Sequence, residues 1–200
     1  AVYIMVLPAI GMVSDMLALP DIPPALVTSL VGPSAGVPFH VGEYLRAAVP
    51  RLQEPATTLG QEIQLVRSYL ELMHMRMPDR LQFALSIDDT APALQCPPMT
   101  LLTLVENAVR HGIDPSEQGG RIDIEARVRD GRCTLRVLDT GIGLTPTGKG
   151  LGTGLASLRE RLQLAFGNTA DLRITEVAPQ GVCAELTFPA RLAQQNLSSG

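Results

Sequence analysis

The 200-residue chain reads as an α/β protein, a two-layer α/β sandwich with a helical segment ahead of it. Three observations predict this. Residues 99–111 and 154–166 carry apolar side chains at helical spacing, with glycines just after the first stretch and just before the second. Five runs, near 81–87, 121–129, 133–138, 171–177 and 182–188, have the composition and alternation of strands, and Asp130-Gly131 is a hairpin signal between the second and third. Such a mixture is satisfied by one sheet whose apolar face is covered by helices.

Taken in order, residues 1–42 form an apolar segment made irregular by Pro8, Pro20, Pro23, Pro24, Pro33 and Pro38. Residues 1–13 are uncharged but too short for the roughly 20 residues a membrane helix needs. Residues 22–42 also lack Asp, Glu, Lys and Arg, yet their prolines break any continuous helix. No transmembrane segment is expected. No Arg or Lys precedes the first apolar run, so no signal peptide is expected either. Ala1 in place of an initiating Met suggests a fragment or a processed chain.

Residues 43–79 read as helical, interrupted by Pro50 and Pro55. Thr58 is the expected N-cap of the main helix, with Gln61 at the capping-box position. Ile63, Val66, Leu70 and Met73, with Leu65, Tyr69 and Leu72, cover more than one face. That width predicts burial on both sides, against the domain and against a partner helix, and hence a homodimer. Residues 80–190 hold the α/β module, and 191–200 are a polar tail expected to fray.

Three blocks carry chemistry: LVENAVRHG at 104–112, DTGIG at 139–143 and GLGTGL at 150–155. Asn107, Arg110 and His111 fall near the end of the first predicted helix. An amide oxygen there is a hard ligand suited to Mg2+, which takes few protein ligands beside phosphate oxygens. Asp139 follows a strand, where a carboxylate accepts a hydrogen bond from an exocyclic amino group, while Gly141 and Gly143 let the backbone approach a flat base. Gly150, Gly152 and Gly154 precede the helix that begins at Leu155, and glycine N–H groups at a helix start hold anions such as phosphates. Any one block alone is ordinarily a turn or a solvated helix face. Together, each on the element its chemistry requires, they point to an adenine-nucleotide site.

These blocks resemble the N box and two glycine boxes of the GHKL superfamily, the Bergerat-fold ATPases that include histidine kinases, type II topoisomerases and MutL proteins. Pro97-Pro98-Met99 leading into LVENAVRHG, and GLGTGLASLRERLQLAFG after it, are similar to the catalytic domain of LytS-type sensor histidine kinases. YLELMHMRMPDRLQF at 69–83 resembles the helix that precedes the ATP domain there, which makes 43–79 dimerisation-helix-like. The resemblance spans roughly 44–190. It implies Asn107 as the Mg2+ ligand, Asp139 as the reader of adenine, and Arg110 and His111 as neighbours of the phosphates of ATP. Glu106 either orients the water shell of the metal or is a helix-surface residue. Lys149, the only Lys of the chain, either contacts phosphate or stays a solvated charge. The loop between the glycine boxes is short and is expected to be mobile until nucleotide arrives.

ATP-hydrolysing relatives place a water-activating Glu four residues before the metal Asn. Here that position is Thr103, which disfavours hydrolysis and favours kinase use. The chain departs from the LytS pattern in one respect: the Asn-Pro-His-Phe-Leu-Phe-Asn block that carries the acceptor histidine is missing. His40 stands too close to Tyr44 to replace it, and His74 lies in mid-helix between methionines.

The net charge of −4 gives no reason to expect a nucleic-acid partner. Cys96, Cys133 and Cys183 are odd in number with no Cys-x-x-Cys spacing, which indicates neither a disulfide framework nor a zinc site and suits the cytoplasm. Membrane attachment is expected only through segments this chain lacks. Three function classes fit: a histidine kinase serving a response regulator, a nucleotide-binding module without phosphotransfer, and an anti-sigma-type Ser kinase. The helix at 69–80 favours the first over the third, the missing acceptor block favours the second for this stretch, and the first is the reading adopted for the origin of the chain.

Overall fold

The computed structural model describes residues 57–144 and 153–192. The expectations for 1–42, for the start of the helical segment, for the loop with Lys149, Gly150 and Gly152, and for 193–200 lie outside the described residues.

Strand β1, Thr57–Thr58, leads into helix α1, Leu59–Arg76. The helix starts as its sequence predicts. Thr58 stays extended, its hydroxyl accepts the N–H of Gln61, and the Gln61 side-chain oxygen accepts the N–H of Thr58. That reciprocal pair satisfies donors that a helix start otherwise leaves bare. Leu59, Leu65, Val66, Tyr69, Leu70, Leu72 and Met73 are buried, whereas Gln64, Arg67, Ser68 and Glu71 are exposed. Most of the broad apolar surface is thus covered within this chain, with Ile63 half-buried.

Five strands form the main sheet: β2 Leu81–Ile87, β4 Gly120–Arg129, β5 Arg132–Asp139, β6 Asp171–Glu176 and β7 Val182–Pro189, in the order β2-β4-β5-β7-β6. β2 and β4 are parallel, and the other neighbours antiparallel. A short β3, Gln95–Cys96, pairs with β1 apart from this sheet. Asp130 and Gly131 turn β4 into β5 with φ of 50° and 71°, the positive pair that a two-residue hairpin of primed type requires.

One face of the sheet is apolar. Ile122, Ile124 and Ala126 of β4, Cys133, Leu135 and Val137 of β5, and Leu186 and Phe188 of β7 are buried. The opposite face carries a charged row in which Arg136 lies 3.7 Å from Glu125 and 3.3 Å from Glu185. Helix α2, Thr100–Asn107, and helix α3, Thr153–Phe166, complete the cover of the apolar face, and Phe166 stacks on Phe188 at 5.4 Å. The two-layer α/β sandwich is therefore as expected.

Three details differ. The helix predicted over 99–111 is α-helical only to Asn107 and continues as a π-helical turn, Ala108–Ile113, where the Asp114 N–H reaches the Val109 carbonyl. Met99 is its N-cap, in the left-handed conformation with φ of 60°. Arg191 and Leu192, assigned to the frayed tail, are tied to the module: the Arg191 carbonyl accepts the Gln95 N–H, and its guanidinium lies over Phe166.

Candidate functional site

Alternation along β5 builds the floor of the site. Cys133, Leu135 and Val137 point to the helix-covered side, and Asp139, the last residue of the strand, keeps that phase. Its side chain is therefore delivered to the apolar layer at the point where the sheet ends. Asp139 is 3% exposed. Burial raises its pKa, while N–H groups of Gly141 and Val182 counter that rise, the first at 2.9 Å from Oδ1. A carboxylate has more acceptor sites than these two donors use.

Glycines are required around it. A Cβ on Gly112 would stand 2.5 Å from Oδ1 of Asp139, and one on Gly141 only 2.2 Å from the backbone carbon of Gly112. The Ile142 N–H closes this contact on the Gly112 carbonyl. Gly143, with φ of 79°, turns the chain away, and the next residue, Leu144, is held by its N–H to Glu176.

Asn107 ends α2 above this floor. Its Nδ2 donates to the Thr103 carbonyl at 2.7 Å. A carbonyl only accepts, so the amide is oriented with nitrogen toward the helix and Oδ1 directed away from that bond. Glu106, beside it, is half-buried, and burial pushes its carboxyl up to about 7 against the pull of Arg110. His111 is half-buried, and burial together with Arg110 lowers its pKa, which favours the neutral imidazole. Arg110 is exposed. The π turn places Gly112 against Asp139, and such turns recur at functional sites.

Leu104, Asn107, Ala108, His111, Gly112, Val137, Asp139, Gly143, Leu144, Leu155, Ile174, Val182 and Ala184 line one cleft. It unites Asn107, His111, Asp139, Gly143 and Leu155 of the predicted site. Glu106, Arg110, Gly141 and Gly154 adjoin it without lining it, and Lys149, Gly150 and Gly152 lie outside the described residues. Sequence reasoning missed the apolar half of the cleft, Ile174, Val182 and Ala184, which comes from strands distant in the chain. It also missed Gly112, although a glycine closing LVENAVRHG was a visible signal of close backbone approach.

Among the described residues no helix is long and apolar enough to cross a membrane. Cys96, Cys133 and Cys183 are free and buried.

Residues 98–192 match the family described as Histidine kinase-, DNA gyrase B-, and HSP90-like ATPase. The same fold occurs in the histidine kinase domain of the Erythrobacter litoralis blue-light activated histidine kinase, with a TM-score of 0.56 at 16% identity, covering 90% of this chain and 87% of that one. It also occurs in the catalytic domain of histidine kinase ThkA, with a TM-score of 0.52 at 16% identity, covering 69% of this chain and 97% of that one. The chain carries a GHKL ATPase domain. Among curated proteins, sensor histidine kinase YesM of Bacillus subtilis is 33% identical over 156 residues, covering 76% of this chain and 27% of YesM. Sensor protein LytS of Oceanobacillus iheyensis is 27% identical over 184 residues, covering 83% of this chain and 31% of LytS. The domain is of the LytS type of sensor histidine kinases, and the chain spans less than a third of the length of these two relatives.

Proposed function

We propose that residues 80–192 bind Mg-ATP as the catalytic domain of a two-component sensor histidine kinase, with the helix ahead of them as its connection to an acceptor-bearing part. The γ-phosphoryl of ATP goes to a histidine and from there to a response regulator. The observation that carries this reading is Asp139, a carboxylate buried at the floor of a cleft, flanked by glycine backbone and left with acceptor capacity.

Asp139 accepts the exocyclic amino group of adenine, while Val137, Ile174, Val182 and Ala184 enclose the ring. Gly112 and Gly141 allow the close approach, since any side chain there strikes backbone or carboxylate. The Asn107 amide, with its nitrogen tied to Thr103, presents its oxygen to Mg2+. Bound to ATP, the cation neutralises charge on the phosphate oxygens, which is most of what phosphoryl transfer asks of its surroundings. Glu106 adjoins Asn107 and orients water around that ion. Arg110 and His111 lie toward the phosphates, and Lys149, Gly150, Gly152, Gly154 and Leu155 belong to the loop and helix start that hold them. Thr103 bonds through its hydroxyl to the Met99 carbonyl at 2.6 Å and has no capacity to deprotonate water, which favours transfer to imidazole over hydrolysis. A homodimer, a response regulator partner and a cytoplasmic location follow from the same reading.

The test is nucleotide selectivity. Asp139→Asn weakens ATP binding by about 1.5–3 kcal/mol, the worth of a hydrogen bond to a charged group. GTP, with a carbonyl where adenine has an amino group, binds poorly to the unsubstituted protein. Equal affinity for ATP and GTP by calorimetry would sink the role of Asp139.

A further inference from the structure

Glu62 plays no part in the cleft, yet it is 0% exposed. A buried carboxylate keeps its charge only where donors or cations replace its hydration. Two of its donors are the N–H of Met99, 2.8 Å from Oε1, and the N–H of Leu101, 3.1 Å from Oε2. Both belong to the start of α2, whose first N–H groups have no partner within the helix. Met99, the N-cap, provides no side-chain cap. Glu62 supplies from a neighbouring helix the cap that α2 lacks, with its charge at the positive end of the helix dipole.

Arg161 of α3 joins the same point. Its guanidinium donates to the Pro98 carbonyl and, at 3.4 Å, to the Thr103 hydroxyl; burial lowers its pKa, and the Glu62 charge counters part of that fall. The other end of the Asn107 segment is gripped by α1 and the residues just after it. Arg76 pairs with Asp114 at 2.6 Å, and Arg80 donates to the carbonyls of Ile113, Asp114 and Ser116. Asn107 lies between these two holds.

Packing alone does not call for this arrangement. Position 62 falls on the apolar stripe Leu59, Val66, Tyr69 and Met73, where a Leu would be buried without any charge to desolvate. What the carboxylate adds is a fixed link between α1, the start of the helix that ends in Asn107, and the helix that follows the phosphate loop.

We propose that Glu62 is a positioning residue of the nucleotide site: by capping α2 at Met99 and Leu101, opposite Arg161, it sets where Asn107 meets the metal. This rests on the reading of Asn107 as the Mg2+ ligand. The experiment is calorimetric titration with ATP, once with Mg2+ and once with EDTA, on the unsubstituted protein, Glu62→Gln and Arg161→Lys. In Glu62→Gln the affinity in Mg2+ falls about tenfold, the scale of removing a residue that orients a metal ligand. The affinity in EDTA stays at the unsubstituted value, because Asp139 and the cleft floor are untouched. Arg161→Lys, which keeps the charge but loses the forked contact, shifts the same ratio and carries the comparison if Glu62→Gln does not fold.

A loss of equal size with and without Mg2+ overturns the proposal, since a merely structural role would act on both. So does an unchanged ratio in both variants. Hydrogen exchange without nucleotide separates the two readings: the Met99 and Leu101 amides exchange faster in Glu62→Gln, and unchanged exchange overturns the cap by itself. An unsubstituted protein that binds ATP equally in Mg2+ and EDTA overturns instead the metal role of Asn107.

Discussion

Glu106 and Asp139 are both carboxylates that burial drives toward the neutral form, but they are held differently. Asp139 has backbone donors that resist the shift, whereas Glu106 has only the nearby Arg110, and its carboxyl rises to about 7. A raised folded pKa means that the folded chain keeps a proton the unfolded chain has released, from the ordinary Glu value up to about 7. The contribution of Glu106 to stability is therefore complete at low pH and declines as pH rises through that window, by about 2 kcal/mol once its partial solvent contact is allowed for. Urea unfolding at about pH 5 and about pH 8 measures it, and Glu106→Gln removes this part of the slope. Its place beside Asn107 adds a functional consequence. The gain in ATP affinity from Mg2+ grows as Glu106 ionises through about 7 in the unsubstituted protein and stays flat in Glu106→Gln. A flat gain in both would leave Glu106 as a helix-surface residue.

Elements with local signals were legible in the sequence, and those set by their neighbours were not. The capping box of α1 is written in Thr58 and Gln61, and the five strands in their alternation and in Asp130-Gly131. Thr58→Ala removes one half of the box and costs about 1 kcal/mol in urea unfolding, as loss of an N-cap side chain does. Thr58→Ser retains the hydroxyl and most of that stability. By contrast, nothing in AVRHGI announces a π turn. Its cause is tertiary: Gly112 has to meet Asp139 and Gly141, while Arg76 and Arg80 hold Asp114 and its neighbours on the far side. Glu62 was hidden for a related reason. It lies on the apolar stripe of α1, and a charged residue at such a position is a signal of a buried partner that hydrophobic patterning passes over.

For the molecule as a whole, the polar chemistry of the cleft was readable, because Asn107, Asp139 and the glycines sit in short contiguous blocks. Its apolar half was not, because Ile174, Val182 and Ala184 reach it only when β6 and β7 join the sheet beside β5. The same assembly decides which histidine the site can serve. In-line transfer requires a neutral imidazole that can approach the γ-phosphate on a movable element. His74 is exposed, but its Nδ1 lies 2.7 Å from the Leu81 carbonyl, its ring meets Phe83 edge-on at 6.5 Å, and it does not line the cleft. His111 lines the cleft from the turn that packs on Asp139, so it is part of the nucleotide site and not a movable element that approaches it. His40, between Pro38 and Gly42, lies outside the described residues. The expected outcome is an ATP site that is competent in a chain that does not phosphorylate itself. Incubation with γ-labelled ATP and Mg2+ leaves no acid-labile, base-stable label, while calorimetry on the same sample reports ATP binding. Label that appears and then vanishes in His40→Ala or His74→Ala would show that the chain carries its own acceptor.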